Sequence, residues 1–287
     1  MLKISILGKI LLFIFILSIS ACVPRALIRY YPKIIEKTLT KKIALIEADH
    51  MNGFLNDESI LELIEAKVQY GYGYLLEQAD RIYDEDYSEA QIFQNNAQDV
   101  FLNAIQLSAK QLNDRHNQFN NWLNYPTTIN TAFTKDDVPY LYWLAAAYGG
   151  MISSTRANPK WVVHLPKIGI LLEKSISIDP NWNNGALYSA MISYTVSRPD
   201  PPTNIRETAQ VFLDKAIASS KNLDASPYIS FAENISIKEQ NKKEFLALTN
   251  YVLDMDISQN PNLKLSNIIS QERARWLQSK LEDYFYE

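Results

Sequence analysis

The sequence predicts an all-α fold, and three observations carry this prediction. Apolar residues recur with the i, i+3, i+4, i+7 and i+8 spacing of one buried helix face, as in the stretch ETAQVFLDKAIASS (207–220). No run of alternating apolar and polar residues competes with this pattern over the length of a strand. Only 8 of the 287 residues are glycine, fewer than a sheet with many tight turns usually needs.

The chain begins like the precursor of a lipoprotein. Lys3 and Lys9 precede an apolar run that ends in small residues, which is the order of a secretory signal. The stretch ISAC, which ends at Cys22, is similar to the bacterial lipobox, where cleavage leaves an acylated cysteine as the first residue. Cys22 is the only cysteine, so it cannot form a disulfide within the chain. We expect a leader over residues 1–21 and a lipid on Cys22; an ordinary secretory signal with a chance cysteine is the alternative.

Acylation predicts a protein that is tied to the cell envelope and faces the periplasm. Each buried methylene contributes about 0.8 kcal/mol, so several acyl chains hold more firmly than one. Val23 stands where some bacteria place an aspartate that retains lipoproteins in the inner membrane, which favours the outer membrane. Removal of Lys3 and Lys9 with the leader moves the formal charge from −4 to −6. Such an acidic chain does not suit nucleic-acid binding.

Residues 22–50 are expected to form a tether and a first helix, ahead of a helical domain over residues 51–287. Basic residues in this segment fall four apart, which makes one stripe on a helix. After a lipid anchor, such a stripe would lie against anionic headgroups. A solvated helix face is the simpler account, because Pro32 interrupts the pattern. The stripe comprises Arg25, Arg29, Lys33, Lys37 and Lys41.

The helical domain shows the two-helix pattern of tetratricopeptide repeats. In that pattern the first helix carries a large residue, then Leu-Gly/Ala and Tyr, and the second helix carries small residues before a closing proline. The segment 139–148 fits a first helix, and 165–180 fits its second helix, with the ending ISIDP. Residues 187–194 and 209–216 form the next pair. Small residues in these helices, among them Ala145, Ala190, Ala216 and Ala232, are expected at close helix–helix contacts.

The remaining segments extend the same pattern toward both ends of the domain. Residues 97–104 look like an earlier second helix, and a third unit runs from Tyr228 to Asp256. The proline- and asparagine-rich stretches 124–130, 197–204 and 258–262 are predicted loops. A closing helix is predicted from the apolar spacing of Ala274, Leu277, Leu281 and Phe285.

Together these segments resemble the T component associated with TRAP transporters. The resemblance covers about residues 60–287 and includes the lipobox. It is sharpest at Tyr142-Trp143, at the helix ending in Asp179-Pro180, and in the closing helix around Asn267. The chain departs from the family at residues 200–202, where Asp-Pro-Pro replaces the usual glycine pair. Any role that this loop has in the family is therefore in doubt here.

The resemblance implies a partner rather than a reaction. Members of the family are periplasmic lipoproteins built of tetratricopeptide-like helix pairs. They are thought to work beside the solute-binding P component, which captures small carboxylates or apolar ligands. They are similar to one another in forming trimers with a tunnel through each protomer. The resemblance thus implies binding to the P protein and a homotrimer.

No catalytic or metal-binding motif stands out in the sequence. His50, His116 and His164 lie far apart, without a second ligand at metal spacing. There is no G-x-S-x-G elbow and no phosphate-binding loop. We therefore predict no catalytic residue, no metal and no cofactor, and a protein that is not an enzyme.

Aromatic residues are the more informative signal, since 17 tyrosines occur and several cluster. Tyrosine combines a rigid apolar ring with a polar tip, which suits a binding surface. In repeat arrays, residues just after the large motif position face the concave side. By this alignment the candidate residues for ligand or partner binding are Tyr142, Tyr188 and Asn184, with Ile192 as an apolar neighbour. The alternative is that these side chains pack between helices.

The sequence thus predicts a lipid-anchored helical protein that assists TRAP-type solute uptake by binding the substrate-binding protein, its small apolar or carboxylate ligand, or both. A general scaffold for assembling envelope proteins is the first alternative. A lipoprotein hydrolase whose catalytic residues are not visible is the second.

Overall fold

The computed structural model describes residues 31–51 and 56–286. Over these residues the chain forms helices and connecting loops with no strand, which confirms the all-α prediction. None of the helices described is long and apolar enough to cross a bilayer. The predicted leader 1–21, the lipidation residue Cys22, and Arg25 and Arg29 of the basic stripe lie outside the described residues.

The α-helices are α1 (Tyr31–Met51), α2 (Asp57–Tyr70), α3 (Glu77–Ile82), α4 (Tyr87–Arg115), α5 (Phe119–Asn124), α6 (Val138–Ser154), α7 (Pro159–Val162), α8 (Leu165–Ile178), α9 (Ala186–Ser197), α10 (Ile205–Ser220), α11 (Ser226–Phe231), α12 (Lys242–Asp254), α13 (Lys264–Ser279) and α14 (Leu281–Tyr284). A first π-helix (Gly71–Leu76) joins α2 to α3, and a second (Ala232–Ser236) follows α11. Short 3₁₀ turns span Lys135–Asp137, Trp182–Gly185 and Pro261–Leu263.

Several helices begin at an Asn or Asp whose side chain caps the first turn. Such a side chain accepts a hydrogen bond from a backbone N–H that has no partner inside the helix. In α4, α10 and α12 the donor is the backbone N–H of a glutamate, whose negative charge also suits the positive helix end. The pairs are Asp86 with Glu89, Asn204 with Glu207 and Asn241 with Glu244. These boundaries are therefore encoded locally.

Each long helix packs mainly against helices that are near it along the chain. α1 pairs with α2, α4 with α6, α6 with α8, and α9 with α10. The predicted helix pairs thus correspond to α6 with α8 and to α9 with α10. The regular tetratricopeptide repeat itself stays a prediction.

The largest core cluster is centred on Phe101 of α4. Its ring is fully buried where the first π-helix and α6 approach α4. A Cβ atom at Gly71 would lie 2.5 Å from this ring, and one at Gly150 would lie 2.3 Å from it. Because real Cβ contacts are never this short, both positions require glycine for the helices to approach so closely.

The closing helix is shorter than predicted. α13 ends at Ser279, and Phe285 lies beyond α14 in extended backbone. The apolar stripe of Ala274 and Leu277 is buried as predicted. The turn around Lys280 redirects the chain so that the Phe285 ring packs on the ring of Phe245 on α12, with 5.2 Å between the ring centroids. A tertiary contact therefore ends the helix that the apolar spacing alone would continue.

The last long helix returns to the first part of the chain. The side chain of Ile269 on α13 lies so close to the first π-helix that a Cβ at Gly73 would come within 2.6 Å of it. Arg273 of α13 forms ion pairs with Glu77 and Asp80 of α3. The helix array is thus closed by contacts between residues almost 200 positions apart.

Candidate functional site

Tyr142 lies on α6 and remains partly exposed. Its ring centroid is 4.9 Å from that of Trp143 and 4.8 Å from that of Trp182. Burial raises the pKa of the Tyr142 hydroxyl, and the carboxyl groups of Asp224 and Glu65 raise it further. Tyr142 therefore combines an accessible ring with a hydroxyl that stays protonated and can donate a hydrogen bond.

Asn184 lies in a strained turn between α8 and α9, two residues after Trp182, which packs on the Tyr142 ring. Asn183 and Asn184 both have positive φ, 45° and 56°, a region that asparagine tolerates better than most residues. Gly185 follows at φ 88°, and a Cβ there would lie 3.2 Å from backbone atoms of Ala216. The turn directs Trp182 onto Tyr142 and leaves Asn184 partly exposed two residues further on.

Tyr188 and Ile192 lie one helical turn apart on α9, on the side covered by α10. Tyr188 is 8% exposed, and its ring stacks on Phe212 at 6.3 Å. Ile192 is fully buried in a cluster with Leu213 of α10 and Phe231 of α11. The structure therefore leaves Tyr142 and Asn184 partly exposed, with Trp182 of the Asn184 turn against Tyr142, and places Tyr188 and Ile192 in the packing between helices.

Tyr72 of the first π-helix joins Tyr142, although the sequence did not single it out as a binding residue. Its hydroxyl donates a hydrogen bond to the carbonyl of Ala146 at 3.0 Å, and its ring lies edge-on to Phe101 at 5.0 Å. The side chain is 39% exposed, yet burial raises the pKa of its hydroxyl, and nearby Tyr142 adds to this rise. Tyr72 is therefore partly exposed, and its hydroxyl contacts α6 one turn beyond Tyr142.

Two local signals could have identified Tyr72. The stretch GYGY (71–74) places two of the chain's few glycines inside a helix, where they are costly unless close packing requires them. The second signal is the pair Gly149-Gly150, because a Cβ at Gly149 would lie 2.9 Å from the Tyr72 hydroxyl. π-helical segments also occur often at functional sites, but the sequence gives no sign of one here.

We call Tyr72, Tyr142 and Trp182 the aromatic site; the carboxyl groups of Glu65 and Asp224 are near enough to raise the pKa of Tyr142. Burial raises the pKa of Glu65, while Lys42 opposes this rise. Burial also raises the pKa of Asp224, which accepts a hydrogen bond from the backbone N–H of Ser226 at 2.9 Å. The site therefore offers aromatic faces and tyrosine hydroxyl groups, with two carboxyl groups nearby, which suit the non-covalent binding of an apolar or amphipathic group.

His116 and His164 do not join this site. Nε2 of His116 lies 3.0 Å from a carboxyl oxygen of Asp137. His164 packs beside Tyr148 and Trp161, and burial lowers its pKa together with the charge of Lys167. Over the described ranges, 31–51 and 56–286, no three His, Cys, Asp or Glu side chains are grouped so that they could hold a metal ion.

Comparison with known proteins places the chain in a family. Residues 32–285 match the family described as the TRAP transporter T-component. An uncharacterized protein of Treponema pallidum (strain Nichols) is 24% identical over 152 residues, which are 53% of this chain and 47% of that protein. The chain thus spans about half the length of this curated relative. Because the family match extends over nearly all described residues, the chain belongs to the T-component family of TRAP transporters.

Proposed function

We propose that this protein binds the solute-binding P protein of a TRAP transporter, or the ligand that the P protein carries, at the aromatic site. Family membership supplies the coarser role of an accessory component of a TRAP transporter. The observation that carries the finer role is the partly exposed aromatic group formed by Tyr142, which packs on Trp182, and Tyr72, whose hydroxyl donates to the Ala146 carbonyl one turn along α6.

The chemistry of the site favours one class of ligand. Aromatic faces bind apolar surface, and the hydroxyl and carboxyl groups can satisfy the polar end of an amphipathic molecule or of a partner side chain. Two carboxyl groups near Tyr142 disfavour a bare anion at this point. We therefore expect an apolar or amphipathic group with a hydrogen-bond donor, rather than an isolated carboxylate, against Tyr142 and Trp182.

The proposal includes a location in the cell envelope. A lipid on Cys22 would tie the protein to a membrane facing the periplasm, with the outer membrane favoured by Val23. The order of basic, apolar and small residues before Cys22 supports this anchor. The family resemblance adds a homotrimer as an expectation. Tyr188 and Ile192 would contribute indirectly, by supporting the helices behind the turn that carries Asn184.

The binding test uses calorimetry with the co-encoded P protein, with and without its solute. Tyr142→Ala and Trp182→Ala should each weaken binding by about 5- to 30-fold, as expected of an interface hot spot. Tyr125→Ala is the matched control, because Tyr125 is 64% exposed and lies outside the aromatic site. Equal affinities for all variants at matched circular dichroism would contradict the proposal. Binding to other envelope proteins, with none to the P protein, would favour the scaffold alternative.

A further inference from the structure

The outward face of α1 combines lysines with exposed apolar side chains. Lys33, Lys37 and Lys41 are all exposed and fall four residues apart. Ile34 is 47% exposed and Leu45 is 58% exposed. On a helix, residues 34, 37, 41 and 45 lie along one side, because their spacings of three, four and seven match the helical repeat. We call this side, with Lys33, the outward face of α1.

The two glutamates of α1 point the other way. Glu36 lies beside Tyr74 of the first π-helix, whose pKa is raised to about 12 by burial together with Glu36. Glu47 accepts a hydrogen bond from the buried Lys67 of α2 at 2.5 Å. Asp49 is an exposed acid, but it lies near the end of the helix. The charges of α1 are therefore segregated, with glutamates toward the protein and lysines toward solvent.

A groove between α1 and α2 extends this face. It encloses about 490 Å³, and its lining comprises Lys37, Thr38, Lys41, Lys42, Leu45, Ile46 and Glu62. Lys42 is paired with Glu62 at 3.7 Å. Lys37 and Lys41 have no carboxylate within ion-pair distance in the part of the chain that the structure describes. The groove thus offers two uncompensated ammonium groups above an apolar floor.

We propose that the outward face of α1 lies flat on an anionic phospholipid surface. Its lysines would contact lipid phosphates, while Ile34 and Leu45 would enter the interfacial layer, as in amphipathic helices that lie on membranes. Each lysine near such a surface contributes a gain of roughly fivefold in association. The overall formal charge of −4 opposes this attraction, so the attraction depends on the segregation of charge on α1.

The position of α1 in the chain supports this partner over others. About nine residues separate Cys22 from the start of α1, and a chain of that length spans at most about 30 Å. A lipid on Cys22 would therefore hold α1 near the membrane at all times. The nearness of α1 to the membrane rests on the acylation in the proposed function. The lysines and apolar side chains of the outward face do not depend on it.

The test replaces the acyl anchor by an artificial tether, so that its result does not depend on acylation. The chain from residue 22, which contains every described element, carries Cys22→Ser and an N-terminal histidine tag that binds a nickel-chelating lipid. Leu45→Cys then supplies a unique thiol for an environment-sensitive fluorophore. Val211→Cys on α10, at a position that is 50% exposed, is the control position. Vesicles contain phosphatidylcholine with or without phosphatidylglycerol.

The label at position 45 should shift to the blue and become protected from aqueous iodide only on vesicles with phosphatidylglycerol, and salt should reverse this change. The label at position 211 should stay aqueous on both. The changes Lys33→Gln, Lys37→Gln and Lys41→Gln together should abolish the response. The matched triple Lys238→Gln, Lys242→Gln and Lys243→Gln removes the same charge from other exposed positions and should preserve it.

An aqueous signal at position 45 on anionic vesicles would overturn the proposal, and so would equal losses in the two triple variants. Fractionation of Cys22→Ser in cells tests the anchor separately, because that variant should remain an unprocessed precursor. A processed and normally fractionating Cys22→Ser protein would refute the anchor without affecting the vesicle result.

Discussion

Asp137 shows how a single residue fixes the start of a helix. It is 2% exposed, and its carboxylate accepts a hydrogen bond from the backbone N–H of Thr134 at 2.8 Å. Arg115 of α4 donates to the same carboxylate at 3.3 Å, and His116 lies 3.0 Å from it. Burial opposes ionisation, but the hydrogen bonds from Thr134 and the nearby His116 ring outweigh it and lower the pKa of Asp137 below 3.8. The start of α6 is thereby tied to the end of α4.

Asp137→Asn should lower the free energy of unfolding by about 2 kcal/mol near neutral pH, because it leaves Arg115 without its buried partner. Because the pKa of Asp137 is lower in the folded state, its ionised carboxylate stabilises the protein above pH 3.8. This stabilisation is lost as the pH falls through the folded-state pKa of Asp137. The difference in the free energy of unfolding between the variant and the wild type should therefore be constant above about pH 5 and shrink below pH 3.8. Urea unfolding at a series of pH values measures it, and a difference that does not change with pH would contradict this role.

Helices approach one another closely wherever small residues face a neighbouring element. Phe101 fits between the first π-helix and α6 because positions 71 and 150 carry glycine. Ala145, Ala216 and Ala232 are each at most 1% exposed, which agrees with their predicted place at helix contacts. Ala190 is only partly buried.

Ala216→Leu should lower the melting temperature, because Ala216 is 1% exposed and its backbone packs against the Gly185 turn so closely that a Cβ at Gly185 would lie 3.2 Å from it. Overpacking of this kind costs about 1–3 kcal/mol. Ala218→Leu, on the exposed side of the same helix, is the matched control and should change stability little. Thermal unfolding followed by circular dichroism compares the two, and equal melting temperatures would refute the contact.

For the whole molecule, Arg273 is the main link between the two ends of the helix array. Its guanidinium lies 2.9 Å from a carboxyl oxygen of Asp80, 3.3 Å from Glu77 and 2.7 Å from Glu233. It also lies 4.4 Å from the ring centroid of Trp276. Arg273 thus holds α3 and the second π-helix against α13, and neighbouring charges raise its pKa against the opposing effect of burial.

Arg273→Met should destabilise the protein by about 3 kcal/mol or more, since it leaves three carboxylates without their shared partner. Arg275→Met is the control, because Arg275 pairs with Glu272 on the same helix and is more exposed, so its ion pair contributes at most about 1 kcal/mol. Hydrogen exchange should increase in α3 and α13 for Arg273→Met alone. Unchanged protection of these helices would show that apolar contacts close the array without Arg273.

The sequence by itself determined the features that depend on neighbours a few residues away. Helical periodicity, the Asn and Asp caps and the loops all follow from local spacing, and the described helices agree with it. The family was also recognisable from local motifs such as Tyr142-Trp143.

The tertiary structure alone decided which side chains meet. Tyr142 and Tyr188 occupy equivalent positions in the repeat pattern, yet α10 covers Tyr188 while Tyr142 meets Trp182 and Tyr72. Arg273 and Asp80 are 193 residues apart, so no local pattern records their ion pair. The physical reason is that helical periodicity tells which side of a helix is apolar, whereas the angle and order of packing decide what covers that side.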